Sequence, residues 1–470
     1  MSSVYMDRAS YQTLDATGVK RLIDRHMLAG ADKYHHLQEY YLGNHDILHS
    51  HKEHSASPNN RIVCNVAKYI TDTATGYFLG KPVVYGSSDD NYLAQLQDIM
   101  DYNDEQDHNA ELAKGCSIKG SCCEMLYLDE DAAIRMTLLE PDDCLVIYPT
   151  GSEEPMGAIR RIVTEDKDGN KITRYEWWRE EDVWYFTAPD GGSLQLSGTE
   201  DHYWHGVPVV EYRNNDERMG DYESVIPMID AYNRVQSNTA NMYQYNDDAI
   251  MVLSHMGAAT SNDIVQIKEE GAISLANGGT ISWLTKDVND AGLEHYKDRL
   301  TRDIHALSGV PRLSDEQFAG NLSGVAIAYK LWGLEQVTAI KERKFKRGLQ
   351  RRAELITNIL HITSNPTYDY RDIDIQFRRN QPQNLPELAD VVTKLAADLS
   401  RETRLKLLPN VSNVQDEINK LRAEEEQQLK AADPSTGYEA LARALREAEA
   451  TLPQRMRTVT AHEQQPQLLG

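Results

Sequence analysis

Four histidines fall within ten residues, at His45, His49, His51 and His54. Imidazoles four apart on a helix can share a metal ion, which makes His45 and His49 the first pair to weigh as ligands. Two features argue against it. No helical pattern runs through residues 50–58, and no His-Glu-x-x-His occurs, so the cluster reads as a solvated loop. The run Asp101-Tyr-Asn-Asp-Glu-Gln-Asp107 is dense enough in carboxylates for a hard cation. It lacks the Asp-x-Asp-x-Asp-Gly order of a calcium loop and reads as a solvated face. The five cysteines, Cys64, Cys116, Cys122, Cys123 and Cys144, are odd in number and form no Cys-x-x-Cys pair. They suit reduced thiols in a cytosol, with Cys116, Cys122 and Cys123 as small buried side chains rather than thiolates.

The densest positive charge lies in Lys341-Glu-Arg-Lys-Phe-Lys-Arg-Gly-Leu-Gln-Arg-Arg352, with seven basic residues and one acid in twelve. These groups could meet phosphates or pair with acids of the same or an adjacent chain. Pairing is favoured, because a helix spreads such charges over several faces. The motifs Gly-x-x-x-x-Gly-Lys-Ser/Thr, Gly-x-Ser-x-Gly and Gly-x-Gly-x-x-Gly are all missing. The chain is therefore read as neither an ATP-driven motor nor an enzyme, with no cofactor and no metal assigned. A metal-dependent hydrolase built on His45 and His49 is the reading this sets aside.

Charge bounds the partners. The 470 residues carry a net charge of -24, with 40% hydrophobic residues and a mean hydropathy of -0.58. A protein that grips nucleic acid through phosphates is normally basic or carries a concentrated basic face, so contact with a polyanion should be loose, local or sliding. Length allows two to four domains. No window of some 18 apolar residues is present, and Met1-Ser-Ser-Val-Tyr-Met-Asp has no basic start or apolar core, so neither a membrane span nor a secretory signal is expected.

The elements that must position these residues form a mixed α+β chain. Residues 1–60 read as helical and polar, with Leu22, Ile23, Leu37, Tyr40 and Tyr41 as buried positions and Gly43-Asn44 as a stop. Residues 65–79 give an amphipathic helix, 83–85 a short strand and 91–112 another helix. Period two then sets in from 124 to about 212, with strands at 124–128, 134–139, 145–148, 158–164, 172–178, 183–187 and 194–196 joined by Gly, Asp and Pro turns in an antiparallel region. Helix returns over 221–247. Its polar face is rich in uncharged groups, Asn233, Gln236, Ser237, Asn238, Asn241, Gln244 and Asn246, which predicts packing against neighbouring polar helices. A small α/β insert follows, with a strand at 249–254, a helix at 262–270, and a hairpin of 272–276 with 280–285 across Asn277-Gly278-Gly279. A helix at 291–308 ends at Gly309-Val-Pro311.

Between Pro311 and Pro366 lie 54 residues without another proline. They open with a polar segment containing Gly320 and continue as one long helix over 323–363. Its apolar positions include Val325, Leu331, Trp332, Leu334, Ile340, Phe345, Leu349, Ala353 and Leu360. That rod would measure roughly 60 Å and needs something large to lean on. A strand at 373–377 should return to the β region. Helices at 387–400, 401–408, 412–432 and 438–450 precede a tail of about 18 residues that is disordered by composition.

The order of parts resembles the portal proteins of tailed bacteriophages, in the siphophage branch infecting Gram-positive hosts. The match is carried by Asn65-Val-Ala-Lys-Tyr-Ile-Thr-Asp-Thr-Ala-Thr-Gly-Tyr-Phe-Leu-Gly-Lys-Pro82, by His205-Gly-Val-Pro-Val-Val-Glu-Tyr212, and by Gly309-Val-Pro-Arg-Leu-Ser-Asp-Glu-Gln-Phe-Ala-Gly-Asn-Leu-Ser-Gly324. The resemblance implies a portal-type fold in a ring of about twelve subunits at one capsid vertex, passing double-stranded DNA inward at packaging and outward at ejection. It implies a wing over 1–220, a stem helix over 221–248, a clip over 249–287 and a second stem helix over 288–310. A tunnel loop over 311–322, a long wing helix over 323–365, a wing strand over 366–384 and a helical crown with flexible tail over 385–470 complete it. The loop residues Arg312, Leu313, Ser314, Asp315, Glu316, Gln317, Phe318, Ala319, Gly320 and Asn321 would face DNA. Ile264, Lys268, Glu269, Asn277, Gly278 and Gly279 would receive the terminase large subunit and later the head-completion adaptors. Scaffold and major capsid protein are further implied partners, with assembly in the host cytoplasm and no membrane. The alternative from a different class is a helical oligomeric scaffold or adaptor that transports no DNA.

Overall fold

The computed structural model describes residues 3–50, 58–165, 167–188, 192–247, 250–254, 280–284, 290–313, 324–364, 367–380, 385–396, 399–406, 408 and 414–432. Contacts divide the chain into two units, Met1–Pro382 and Gln383–Gly470. In the first, strand β1 (Ser3–Met6) leads into α1 (Arg8–Gln12), α2 (Ala16–Leu22), a π-helical turn (Ile23–Leu28) and α3 (Ala29–Leu42). Asp7 and Asp15 start the first two helices by accepting the N–H groups of Ser10 and Gly18 at 2.8 and 2.7 Å. Gly43 ends α3 at φ 89°, the left-handed conformation in which a side chain would be strained. Helix α4 (Val66–Leu79), strand β2 (Val84–Gly86) and helices α5 (Asp90–Tyr102) and α6 (Glu105–Lys119) follow.

The N-terminal region departs from its sequence pattern in two places. Residues 1–60 are not wholly helical, because β1 pairs in parallel with a strand over Cys144–Pro149. Four residues are too few to announce a period of two. The helix expected over 91–112 is two helices, broken where Asp104 adopts φ 48°.

All seven strands expected over 124–196 form, β4 at its expected bounds and the others shifted by a few residues. They are β3 (Ser121–Leu128), β4 (Ile134–Leu139), β5 (Cys144–Pro149), β6 (Gly157–Glu165), β7 (Lys171–Trp178), β8 (Asp182–Thr187) and β9 (Gln195–Asp201). An eighth, β10 (Val209–Arg213), joins them. They make two sheets: one in order β1-β5-β6-β7-β8-β9, the other β10-β3-β4. The first is covered by α2 and the π turn, whose Val19, Ile23 and Met27 meet Leu145, Ile147, Ile159 and Trp177. Helix α7 (Ile226–Asp247), the antiparallel pair β11 (Ile250–Ser254) and β12 (Thr280–Leu284), and helix α8 (Asp290–Ser308) come next. β12 thus pairs with β11; the expected hairpin partner 272–276 and the helix 262–270 lie outside the described residues.

The long rod is α9 (Gly324–Lys330) followed by α10 (Trp332–Thr363), with the register interrupted at Leu331. Leu331 is buried, whereas Val325, Trp332 and Ile340, expected on the apolar stripe, are exposed. Helix α10 alone has 32 residues, a length of about 48 Å. Strand β13 (Asp374–Gln376) pairs with β2 rather than returning to the larger sheets. In the second unit α11 (Leu385–Lys394), α12 (Arg401–Lys406) and α13 (Val414–Ala432) are described, with Arg401 paired to Glu425. The expected helix at 438–450 and the tail lie outside the described residues.

Helix α10 leans on the three-stranded sheet and on α6 through a buried charge cluster. Arg352 is fully buried. Its Nε donates to Glu124 at 2.9 Å, and its Nη1 donates to Glu105 at 2.9 Å. Glu124 also accepts from Tyr212 at 2.9 Å and meets His108 Nε2 at 2.8 Å. Glu105 accepts from Tyr85 and Asn109. Burial pushes the Glu124 carboxyl up, but the Arg352 guanidinium and His108 outweigh it and hold the value at about 2. Glu105, expected on a solvated acidic face, is therefore a core residue, because its counter-charge lies on α10. Tyr212 reaches the cluster only because Gly348 has no side chain: a Cβ there would sit 2.4 Å from the tyrosine ring.

Most of the rest of the basic block is paired within the chain, Arg343 being exposed to solvent. Lys341 pairs with Asp221, Lys344 with Asp216, Arg347 with Glu153 and Arg351 with Glu354, while Lys346 donates to the Ile375 carbonyl at 2.9 Å. Lys341 is buried; Arg347 and its partner are exposed and hold one another weakly.

Replacing Arg352 with Met should strand two buried carboxylates and cost about 3–5 kcal/mol in urea unfolding. Adding Glu105→Gln and Glu124→Gln should recover most of that loss, since neutral partners need no counter-charge. Because the folded Glu124 value is depressed, its stabilisation is complete above the ordinary carboxyl value of 4.5 and fades as pH falls toward about 2. Glu124→Gln should flatten that acid limb of the stability curve.

Candidate functional site

The two helices flanking the β11–β12 pair carry the residues the sequence singled out. Helix α7 packs along α8 and shares a core with α3 and α4, built from Leu37, Tyr40, Ile70, Ala74, Ile229 and Ile304. Its amide-rich face has a partner inside the same chain. Asn233, Ser237 and Asn241, spaced by four, accept the backbone N–H groups of Cys64, Ile62 and Asn60, spaced by two, at 2.8, 2.9 and 2.7 Å. The geometry matches because four helical residues rise about 6 Å and two extended residues span about 6.6 Å. Asn60 also donates from its side chain to Gln244 at 2.9 Å. The expectation of a neighbouring polar helix against this face is corrected at those positions: an extended strap of residues 60–64 lies there.

His45 completes this arrangement rather than a metal site. It is fully buried, with Nε2 2.9 Å from the Tyr40 carbonyl and Nδ1 2.8 Å from the Asn233 side-chain nitrogen. The expected solvated loop therefore begins with a core residue, and the short helical turn Asp46–His49 follows it. His51 and His54 lie outside the described residues. Among the described residues no group of three or more His, Cys, Asp or Glu side chains could hold a metal ion. Cys116, Cys122, Cys123 and Cys144 are buried and free, and burial raises the thiols of Cys116 and Cys122 above the ordinary range, so thiolate chemistry is disfavoured.

The segment leaving α8 is clamped at its base. Gly309 turns the chain at φ 72°, where a Cβ would meet Val337 at 2.9 Å. Val310 is buried, and its carbonyl accepts from His305 Nδ1 at 2.9 Å. Burial lowers the His305 value, with the Val310 carbonyl acting in the opposite direction; neutrality is favoured. Tyr69 of α4 stacks edge-on against His305, donates to the Pro311 carbonyl at 3.2 Å and accepts the Leu313 N–H at 2.7 Å. One hydroxyl thus bridges the two peptide groups on either side of Arg312, where the chain enters the expected loop.

Of the expected loop residues, Arg312 and Leu313 are described, and both are exposed at the end of this clamp. Ser314, Asp315, Glu316, Gln317, Phe318, Ala319, Gly320 and Asn321 lie outside the described residues, as do Ile264, Lys268, Glu269, Asn277, Gly278 and Gly279. Sequence reasoning missed Tyr69, His305 and Asn60. Tyr69 falls on an ordinary helical pattern and its partners are over 240 residues away, so no local signal marks it. The four-residue spacing of Asn233, Ser237 and Asn241 was visible, but nothing named the strap.

The chain thus combines two helices around a β pair, a clamped segment and a long helix interrupted at Leu331 in a mixed α/β fold. The family model described as phage portal protein, SPP1 Gp6-like, matches residues 20–431. The chain belongs to that family. It is similar to the portal protein of Clostridium phage phiCD119, 24% identical over 432 residues that cover 85% of this chain and 94% of the relative. It is also similar to the portal protein of Bacillus phage SPP1, 21% identical over 446 residues covering 87% and 86%. The chain is accordingly a structural, non-enzymatic component of a phage capsid. Among the described residues no helix is long and apolar enough to cross a membrane.

Tyr69→Phe removes both bonds of the clamp while keeping the ring. It should cost about 1–2 kcal/mol and raise hydrogen exchange selectively at residues 310–313, read by mass spectrometry.

Proposed function

We propose that this chain is the subunit of a closed ring of about twelve copies at one capsid vertex, through whose axial channel double-stranded DNA is packaged and later ejected. The observation that carries the reading is the family match over residues 20–431, which runs through both long helices, the β pair and the clamped segment. On this reading residues 1–220 form the wing, 221–248 and 288–310 the stem helices, and 249–287 the clip. Residues 311–322 form the tunnel loop, 323–365 the long wing helix, 366–384 a wing strand, and 385–470 the crown. Arg312 to Asn321 are the part nearest DNA. Ile264, Lys268, Glu269, Asn277, Gly278 and Gly279 belong to the docking surface for the terminase and then the adaptors. The ring assembles in the host cytoplasm with scaffold and major capsid protein.

Electrostatics support sliding rather than gripping. Twelve chains of net charge -24 would carry roughly -290, which disfavours a DNA-binding wall. The basic block that might have opposed this is largely neutralised by acids of its own chain.

Native mass spectrometry and negative-stain imaging should find rings of about twelve 53.3 kDa chains with a central hole. A chain that stays monomeric under all assembly conditions contradicts the reading. Replacing Gln317 and Phe318 with Ala should leave rings intact but impair DNA packaging or retention. Unimpaired packaging after exchange of the whole loop would remove the loop from the channel, and a ring that supports assembly without DNA passage would favour the scaffold alternative.

A further inference from the structure

The strap along α7 ends at a titratable group whose two hydrogen bonds cannot both survive protonation. The Tyr40 carbonyl can only accept, so His45 Nε2 carries the hydrogen of their 2.9 Å bond. In the neutral ring Nδ1 is then an acceptor, and it takes a hydrogen from Asn233 Nδ2 at 2.8 Å. That fixes the orientation of the amide and turns its oxygen toward the Cys64 N–H, 2.8 Å away. A second proton on the ring would place an N–H against the Asn233 NH2 group. Turning the amide over would satisfy the imidazolium but set the NH2 group against the Cys64 N–H. No orientation of Asn233 keeps both bonds.

We propose that His45 and Asn233 form a proton-sensitive latch that holds residues 60–64 on α7 and releases them when His45 becomes charged. The latch is the first of three rungs. The next, Ser237 Oγ, donates to the backbone carbonyl of Asn233 at 2.8 Å while accepting the Ile62 N–H.

The surroundings set the direction. His45 stacks on Tyr40, with ring centroids 4.4 Å apart, and is fully buried, which opposes a charged ring. Asp46 on its own turn and Asp230 on α7, which accepts from the Tyr40 hydroxyl at 2.6 Å, favour charge. From α3, His36 lies against the Tyr40 ring and Glu39 accepts from Asn44. Asn65 at the start of α4 faces His45, and Lys297 of α8 faces Cys64. Burial is the largest of these influences, and the His45 value lies below the ordinary 6.5. A histidine depressed in the folded state leaves the latch closed above that value and opens it as pH falls below.

Hydrogen exchange of the intact chain, corrected for intrinsic rates, tests this at about pH 7.5 and about pH 5. Residues 60–64 should lose protection about tenfold or more at the lower pH, while the α10 core keeps its protection. In Asn233→Asp the carboxylate accepts from both Cys64 and a charged His45, so the strap should stay protected in acid. His45→Gln, which cannot take up a proton in this range, should abolish the pH response whether or not the first variant folds. A strap that stays protected in the wild type, or a pH response that persists in His45→Gln, overturns the proposal.

Discussion

A fully buried guanidinium determines how the first unit is built. Arg352 lies near the middle of the longest helix and can be accommodated only with its charge countered, since an unpaired buried charge costs several kcal/mol. Glu105 and Glu124 supply the charge, from the start of α6 and from β3. Meeting both carboxylates fixes the rotation of α10 about its axis. That rotation presents Phe345 and Leu349 to the core and brings Gly348 against Tyr212. It also explains why a strongly cationic segment sits in an acidic protein without presenting a concentrated basic face.

The same logic of polar groups finding partners recurs at smaller scale around α7 and α8. The strap over 60–64 is extended chain whose N–H groups would otherwise face a helix, and three side chains at four-residue intervals meet them. The segment after α8 is held by one tyrosine hydroxyl serving as donor and acceptor. The tyrosine clamp anchors the described base of the segment that the portal reading assigns as the tunnel loop.

Much of this fold was legible in the sequence because its elements have long, clean periods. Strand β4 is found at its expected bounds, Ile134–Leu139, and α8 begins one residue early. The family resemblance was legible for the same reason, since the order of parts survives where identity to relatives is 24% and 21%. What was missed depends on distant partners. Glu105 looks like one more acid in an acidic run until Arg352 arrives 247 residues later. His45 looks like loop until Asn233 arrives 188 residues later. The break at Leu331 is hidden because apolar residues continue across it, although Trp332 then turns to solvent. The amide face of α7 announced an unusual partner, and only the structure gives it as the chain's own strap.

On the proposed reading the ring passes DNA without holding it, most of its basic block being spent on its own acids. The most direct measurement is the affinity of assembled rings for double-stranded DNA across a range of salt concentrations. The account predicts weak binding whose logarithm falls only shallowly with the logarithm of salt, by a slope of about two or less. A steep slope of about six or more, lost when Lys344 and Arg347 are neutralised, would show the block gripping phosphates and contradict it.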